Sequence, residues 1–494
     1  MHYSKISEKL VAGGLLRLDG HIIKEMRQLF RVLIPLILFI SVNNIHCINA
    51  RDGKAYHDKG KIVDTVRCSA DSKYSYALYL PTNYSEDAKW PIIYIFDPGA
   101  KGKLALSGFV PAAEKFGYIA VCSNNSRNSL SGAELEEAIN YLFNDTEDKF
   151  SIDPRRVYTS GFSGGSRVAS LVALNSKFIS GVIGCGAGFP NSADFKNITS
   201  FDYFGLVGNR DMNYLEMYDL EKKLDNLGMS VELRIFNGGH TWPSPDLLEE
   251  AIEWMELKAM YKGIKNKNPD LINTLFGKYN KKAVSLSEQG KLLESVYYYK
   301  DIIKDFPDHI GITKIKSKRD SLLLTKDYVK SLKTWDKNRS WELEIQSTLV
   351  EDFNVRVRTE ELSDSIRIWW TSQIKTLRFM ETSKDSSKQV IASRVLMLLN
   401  IMFYETGRNY SGLKRFKAAA ICYQLASIVD PENKNNYFLL ARTYSLNGET
   451  DEALRSLEKA IKAGYNNRQS IEKDSAFIPL KNEKRFRSVM MQLK

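Results

Sequence analysis

The stretch VYTSGFSGGSRVASLVAL, residues 157–174, joins a predicted strand at residues 157–159 to a predicted helix at residues 165–174. The connecting turn has the pattern Gly-x-Ser-x-Gly, and a sharp strand-to-helix turn of this kind exposes the hydroxyl of Ser163. Glycines keep side chains out of the crowded turn, and the start of the helix offers unpaired N–H groups to a developing anion. The stretch therefore predicts a nucleophilic serine at the end of a strand.

Strand and helix patterns alternate on both sides of this stretch, over residues 60–262. The predicted strands lie at residues 63–68, 76–80, 92–96, 118–122, 157–159, 179–185, 203–207 and 231–236. The predicted helices lie at residues 110–116, 133–143, 165–174, 214–227 and 247–260. The first two strands should pair antiparallel, and the rest predicts a mostly parallel sheet with helices on both faces. Ligands of such sheets bind outside the carboxyl ends of the strands.

Three of these strand ends carry residues suited to nucleophilic catalysis. Ser163 follows one strand, Asp211 follows the strand at 203–207, and His240 follows the strand at 231–236. Because each lies in a separate loop at the same edge of the sheet, we expect the three side chains to meet there. A serine hydroxyl is a poor nucleophile at neutral pH, and a histidine oriented by a carboxylate supplies the base that it lacks.

This arrangement resembles the α/β-hydrolase fold over about 200 residues. The stretch Gly-Gly-His-Thr-Trp-Pro, residues 238–243, resembles the secreted polyhydroxybutyrate-depolymerase and feruloyl-esterase branch of that fold. The resemblance implies a three-layer sandwich that hydrolyses carboxylic esters through an acyl-enzyme. It implies Ser163 as nucleophile, His240 as general base and Asp211 as the carboxylate that fixes the imidazole tautomer. It implies no metal and no organic cofactor.

Each of these three residues also has a purely structural interpretation. Ser163 could cap the helix that follows it, Asp211 could cap the helix beginning near residue 214, and His240 could be a buried structural histidine. Asp246 and Asp202 are alternative carboxylates for the same role. Residues 186–202 leave too little chain for a helical cap over the site, so the sequence favours an open site that accepts bulky or polymer-attached esters.

The loop that stabilises the oxyanion should follow the strand at residues 92–96. It reads Asp-Pro-Gly-Ala-Lys-Gly, residues 97–102, whereas the resembling family usually has His-Gly here. Backbone N–H groups do this work, so the resemblance implies Gly164 as the first donor. The second donor is left open between Ala100 and Lys101.

Substrate-binding residues are expected around the same edge of the sheet. Trp242 is either a wall of the acyl or aryl pocket or a core residue. Asn124 and Asn125, with Asn128, follow the strand at 118–122 and either rim the site or form a plain polar loop.

The C-terminal residues 263–494 have few glycines and prolines and carry apolar residues at helical spacing. One stretch matches the spacing of a 34-residue tetratricopeptide (TPR) repeat at Tyr437, Leu440, Ala441, Tyr444, Gly448, Ala453, Leu457 and Ala460. Partial matches lie at residues 419–431 and 279–307. The resemblance implies an all-α TPR-like domain, either a scaffold that binds a protein partner or substrate or a module that only packs on the hydrolase.

Charge separates the two halves of the chain, whose total net charge is +11. Residues 51–262 carry a net charge of −5 and residues 263–494 carry +13. Together with the polar stretch at residues 262–269, this predicts a boundary near residue 262 between a hydrolase domain and a helical domain. We therefore expect residues 51–265 to fold and hydrolyse small esters alone. Nucleic-acid binding is not predicted, because the basic residues are interspersed with acidic ones.

The N-terminal residues 1–50 are predicted to be a signal segment. The apolar run VLIPLILFISV, residues 32–42, is too short to span a bilayer comfortably and follows Arg27 and Arg31. Met26 would begin a signal of normal length, so we expect translation to start there and the mature chain to be periplasmic or extracellular. An uncleaved segment would instead anchor the chain in a membrane, and Cys47 would allow a lipid anchor.

Composition excludes several classes of protein. Thirty glycines and 13 prolines are too few for a collagen-like or low-complexity chain, and five dispersed cysteines do not make a disulfide scaffold or a metal site. The leading hypothesis is an exported serine esterase whose substrate is a polymer- or glycan-attached ester. One alternative is a serine peptidase of the prolyl-oligopeptidase type, although no β-propeller repeat is visible. The other is a non-catalytic TPR scaffold with a vestigial hydrolase domain.

Overall fold

The computed structural model describes residues 58–195 and 201–493. The predicted signal segment, with Met26 and Cys47, lies outside these described residues. The chain divides into two compact units between Trp341 and Glu342, and each unit is described separately below.

The first unit is built on one eight-stranded sheet. Its strands are β1 (Ile62–Arg67), β2 (Ser75–Tyr79), β3 (Trp90–Phe96), β4 (Ile119–Ser123), β5 (Ile152–Phe162), β6 (Ile179–Cys185), β7 (Asp202–Gly208) and β8 (Val231–Phe236). They lie in the order β1-β2-β4-β3-β5-β6-β7-β8. Strand β2 pairs antiparallel with both β1 and β4, and all other pairs are parallel. The predicted mostly parallel sheet with an antiparallel first pair is confirmed.

Helices cover both faces of this sheet. They are α1 (Gly102–Ser107), α2 (Val110–Phe116), α3 (Gly132–Lys149), α4 (Gly164–Asn175), α5 (Tyr214–Asn226) and α6 (Pro245–Tyr261). The continuous apolar run of β3 is explained by this double cover. Ile92, Tyr94 and Phe96 point into one core, and Ile93 and Ile95 point into the other. The predicted three-layer α/β-hydrolase architecture is therefore present.

The same compact unit continues beyond the predicted boundary near residue 262. It includes α7 (Pro269–Glu288), α8 (Leu292–Asp305), α9 (Ile312–Leu323) and the first half of α10 (Lys326–Thr359). Leu257 and Met260 of α6 are buried in one cluster with Leu275, Tyr279 and other side chains of these helices. Helix α6 of the sheet's cover and the first helices of the C-terminal segment therefore share a core.

A buried ion network ties β8 to α8. The guanidinium of Arg234, 2% exposed, lies 2.5 Å from Glu232, 2.6 Å from Glu250 and 2.6 Å from Asp301. The ring of Tyr298 lies 4.5 Å from its guanidinium carbon. Such a network is strongly destabilised when one partner is removed, because a buried charge is left unpaired.

Burial also changes the titration of this network. Burial raises the pKa of Asp301 to about 7, and raises that of Glu232 well above its ordinary value, although the Arg234 guanidinium opposes both shifts. A carboxyl group whose pKa is higher in the folded state than in the unfolded state adds to the free energy of unfolding when it is protonated. This contribution is fully present below the pKa of the unfolded state. The contribution of Asp301 to the free energy of unfolding is therefore lost as the pH rises from about 4 through 7.

The second unit is entirely helical in its described residues. It contains the end of α10, then α11 (Asp364–Glu381), α12 (Ser386–Gly412), α13 (Phe416–Val429), α14 (Lys434–Leu446), α15 (Thr450–Lys462), α16 (Arg468–Lys473) and α17 (Lys484–Met491). Ala441 of α14 and Ala453 and Ala460 of α15 are fully buried in one cluster. Small residues at these positions let the two helices pack closely, which is compatible with the predicted repeat.

One described helix, α12, is long and apolar enough to cross a membrane by length and composition. However, 56% of its most apolar window is buried inside the structure. A buried core helix passes the same test of length and composition.

Candidate active site

Ser163 occupies the turn between β5 and α4, in a strained backbone conformation. Its φ is 53° and its ψ is −118°, a combination that residues with a Cβ rarely adopt. The two flanking glycines are required by close packing. A Cβ at Gly161 would lie 2.2 Å from the carbonyl oxygen of Gly165, and one at Gly165 would lie 2.0 Å from that of Phe96. The turn therefore has room for a side chain at Ser163 but not at positions 161 and 165.

The imidazole of His240 bridges Ser163 and Asp211. Its Nε2 lies 2.8 Å from the Oγ of Ser163, and its Nδ1 lies 2.9 Å from Oδ2 of Asp211. A carboxylate only accepts hydrogen bonds, so Nδ1 carries the proton and Nε2 is free to accept from the serine hydroxyl. The three residues thus form one continuous chain of hydrogen bonds.

Asp211 is held rigidly behind the histidine. It is fully buried, and its Oδ1 accepts a hydrogen bond from the N–H of Asn213 at 2.8 Å. Both alternative carboxylates lie elsewhere: Asp246 is exposed in the first turn of α6, and Asp202 pairs with Lys262 at 2.8 Å. The structure therefore brings Asp211, rather than either alternative, to His240.

The loop after β3 differs from the expectation for the second oxyanion donor. The N–H of Ala100 donates to the backbone oxygen of Asp97 at 3.1 Å, and the N–H of Lys101 donates to Oδ1 of Asp97 at 3.1 Å. Both expected donors are therefore engaged within their own loop. Asn128 lies closer to the first donor: a Cβ at Gly164 would stand 1.8 Å from its Oδ1 and 3.0 Å from its Nδ2.

Trp242 connects the histidine loop to the loop after β3. Its Nε1 donates to Oδ2 of Asp97 at 3.0 Å. Its ring lies 5.5 Å from the ring of Phe162, which itself lies 4.6 Å from the His240 ring. Trp242 is partly exposed, so a role as a pocket wall stays a prediction alongside this structural role.

Asn124 and Asn125 are engaged away from the three catalytic candidates. The Asn125 side chain accepts from the N–H of Ser75 at 2.8 Å and donates to the carbonyl of Lys73 at 3.1 Å. The Asn124 amide donates to the carbonyl of Asp64 at 3.0 Å. These bonds fix the loop after β4 to the first two strands, and a role of both side chains in substrate binding stays a prediction.

Sequence reasoning missed the roles of Asp97 and Asn213. The pattern Asp-Pro-Gly at residues 97–99 is typical of a turn closed by the aspartate side chain, and this signal was available. Asn213, whose Nδ2 donates to the carbonyl of Gly186 at 2.7 Å, has no comparable signal. Within residues 58–195 and 201–493, no group of three or more His, Cys, Asp or Glu side chains could hold a metal ion.

Comparisons with known proteins find likeness in solved structures only. No family model and no curated protein matches this chain. The chain is similar to the fluorophosphonate-binding serine hydrolase FphF of Staphylococcus aureus, at 12% identity and a TM-score of 0.33, over 40% of this chain and 99% of that one. It is similar to the S-formylglutathione hydrolase FrmB of S. aureus, at 11% identity and a TM-score of 0.34, over 41% and 99%. It is similar to Est1E from Butyrivibrio proteoclasticus, at 12% identity and a TM-score of 0.33, over 40% and 100%.

Proposed function

We propose that this chain is a serine hydrolase that cleaves carboxylic esters through an acyl-enzyme. The observation that carries the proposal is the hydrogen-bonded series from Ser163 through His240 to Asp211, with distances of 2.8 and 2.9 Å. Its members come from three loops far apart in sequence, at the carboxyl edge of one sheet. A strained serine backbone at the same point is typical of a nucleophile held in place for reaction.

The chemistry follows from this geometry. The Oγ of Ser163 attacks the ester carbonyl while its proton moves to Nε2 of His240, and the Asp211 carboxylate stabilises the imidazolium that forms. The oxyanion meets the N–H of Gly164, the residue after the nucleophile. The tetrahedral intermediate then collapses, the C–O bond to the alcohol breaks, and the alcohol leaves with the proton from His240. Water repeats the sequence on the acyl-enzyme and releases the acid.

Labelling and turnover test the proposal together. The whole chain should react covalently with a fluorophosphonate probe and hydrolyse members of a panel of p-nitrophenyl and feruloyl esters. A chain that is neither labelled nor active on any ester would refute the proposal and favour the non-catalytic scaffold. Preferential cleavage of peptide amides over esters would favour the peptidase alternative.

Replacing Asp211 with asparagine should lower kcat by about 10⁴-fold, because the imidazole then loses the partner that fixes its tautomer. The matched control is Asp246→Asn, which makes the same change at an exposed carboxylate on α6. The control should keep kcat within about twofold of the original chain. Steady-state kinetics on one p-nitrophenyl ester measures both, and equal losses in the two variants would contradict the assignment of Asp211.

The helical second unit is proposed to bind a protein partner or a polymeric substrate, and the ester is proposed to be attached to a polymer or glycan. Ser163 and Gly164 are partly exposed, which suits a bulky ester. Nucleic-acid binding is not part of the proposal. A membrane would be contacted only through an uncleaved N-terminal segment.

Export is proposed from the apolar run at residues 32–42. The exported protein should begin near Arg51, because the small residue Ala50 ends the segment. A chain started at Met26 should be exported as well as one started at Met1. N-terminal sequencing of the exported protein measures this, and a mature chain that retains residues 1–25 would contradict it.

A further inference from the structure

Asp97, at the end of β3, is bonded to two separate loops. Its Oδ1 accepts from the N–H of Gly99 at 2.8 Å and of Lys101 at 3.1 Å, both in its own loop. Its Oδ2 accepts from Nε1 of Trp242 at 3.0 Å, in the loop that carries His240. Asp97 is only 5% exposed, so water competes little for these bonds.

The bond to Trp242 matters because of what the indole touches. The Trp242 ring lies 5.5 Å from Phe162, the residue before the candidate nucleophile, and makes an edge contact with Phe109 at 6.2 Å. Phe162 in turn lies 4.6 Å from the His240 ring. A shift of the indole would therefore change the surface against which the imidazole rests.

We infer that Asp97 is a positioning residue, which acts through Trp242 to hold the His240 loop against the loop that follows β3. The inference rests on the proposed ester hydrolysis. Two carboxylate oxygens accept three hydrogen bonds at once, and each oxygen serves a different loop. An asparagine has a single acceptor oxygen, so it cannot accept from both loops.

The expected effect is on the chemical step rather than on substrate binding. Displacing a catalytic group by about 1 Å can lower a rate by about 10²-fold. Loss of the Asp97–Trp242 bond should therefore lower kcat by about 10- to 100-fold and change KM by less than about threefold. If Trp242 were only a wall of the substrate pocket, Trp242→Phe should leave kcat unchanged, because phenylalanine keeps most of the apolar surface of the indole.

The test uses three variants of the full chain: Trp242→Phe, Asp97→Asn and the double variant. An asparagine keeps its single acceptor oxygen toward the two N–H donors of its own loop, so its amide nitrogen faces Trp242 and the bond between the loops is lost. Both single changes then remove the same bond, and the double variant should be no slower than Asp97→Asn alone. The matched control is Trp90→Phe, at the other end of β3, which removes an indole bond of 2.7 Å to the carbonyl of Ser85. The control should keep kcat within about twofold.

Kinetics on p-nitrophenyl acetate and thermal unfolding are measured for every variant. The inference is overturned if Trp242→Phe keeps kcat within twofold of the unsubstituted chain. It is also overturned if the loss of kcat in the double variant is the product of the losses in the two single variants. If Asp97→Asn fails to fold, the comparison of kcat between Trp242→Phe and the control Trp90→Phe decides the inference by itself. If the unsubstituted chain is labelled by fluorophosphonate and hydrolyses the ester, but the variants are as active as it is, only this inference is refuted. A parent chain that is inert to both refutes the proposed function and this inference with it.

Discussion

Replacing Ser163 with alanine is expected to abolish ester hydrolysis while the chain stays folded. The Oγ lies 2.8 Å from Nε2 of His240, so the attacking atom has a base beside it. Loss of the nucleophile in a triad lowers kcat by about 10⁶-fold, and the oxyanion donor and substrate binding supply the small residual rate. Initial rates on a p-nitrophenyl ester, with active-site labelling by fluorophosphonate, measure the loss.

Ser107→Ala is the matched control for this prediction. Ser107 is an exposed serine at the end of α1, and its hydroxyl donates only to the backbone oxygen of Leu104. Its removal should leave both labelling and turnover as they are. An alanine at position 163 that kept more than about one tenth of kcat would show that the hydrolysis does not pass through Ser163.

A fragment of residues 51–265 is expected not to fold, whereas residues 51–341 should fold and hydrolyse a small ester. The shorter fragment removes Asp301 from Arg234, and it removes Asp305, which accepts from Nε1 of Trp254 at 2.8 Å and from Lys258 at 2.5 Å. It leaves Lys258 of α6 without the carboxylate of Asp305, and it exposes Leu257 and Met260 of α6, which α7, α8 and α9 otherwise bury. This expectation replaces the one drawn from the sequence.

Solubility, far-ultraviolet circular dichroism and thermal unfolding of the two fragments measure this difference. In the full chain, Asp301→Ala should lower the free energy of unfolding by about 3 kcal/mol, since it removes one of the three carboxylates that pair with the buried Arg234 guanidinium. Asp225→Ala, which removes an exposed pair with Lys304, should change it by less than about 1 kcal/mol. A soluble and active 51–265 fragment would contradict the shared core.

Much of the sheet could be predicted from the sequence because its strands are covered on both faces. The apolar run at residues 92–96 is nearly all of β3, and the run at 179–185 is β6. Strand β5 was predicted too short, since it begins at Ile152 and includes Pro154 and two arginines that a buried pattern does not contain. The glycine pattern around Ser163 placed the turn correctly, because only glycine fits at positions 161 and 165.

The boundary near residue 262 was predicted from charge and from the polar stretch at residues 262–269, whereas the compact unit that holds the sheet continues to Trp341. The pattern Val-Glu-Leu-Arg-Ile-Phe of β8 alternates apolar and polar residues, which normally indicates a strand with one face in water. Glu232 and Arg234 are instead buried, because α8 supplies Asp301 to their side of the sheet. Pairing between residues so distant in sequence leaves no local pattern, and the same is true of the bonds of Asn124 and Asn125.

The strained backbone of Ser163 has a consequence for how selection acts on this position. A non-glycine residue held at a φ of 53° and a ψ of −118° costs about 1–3 kcal/mol, a sizeable share of the about 5–15 kcal/mol by which a typical domain is stable. Glycine at this position would relieve the strain, and a single substitution reaches it. Mutation under no selection for chemistry would therefore tend to replace this serine, because the replacement makes the fold more stable. A serine in this conformation is therefore expected to persist only under selection for its hydroxyl, at the expense of stability.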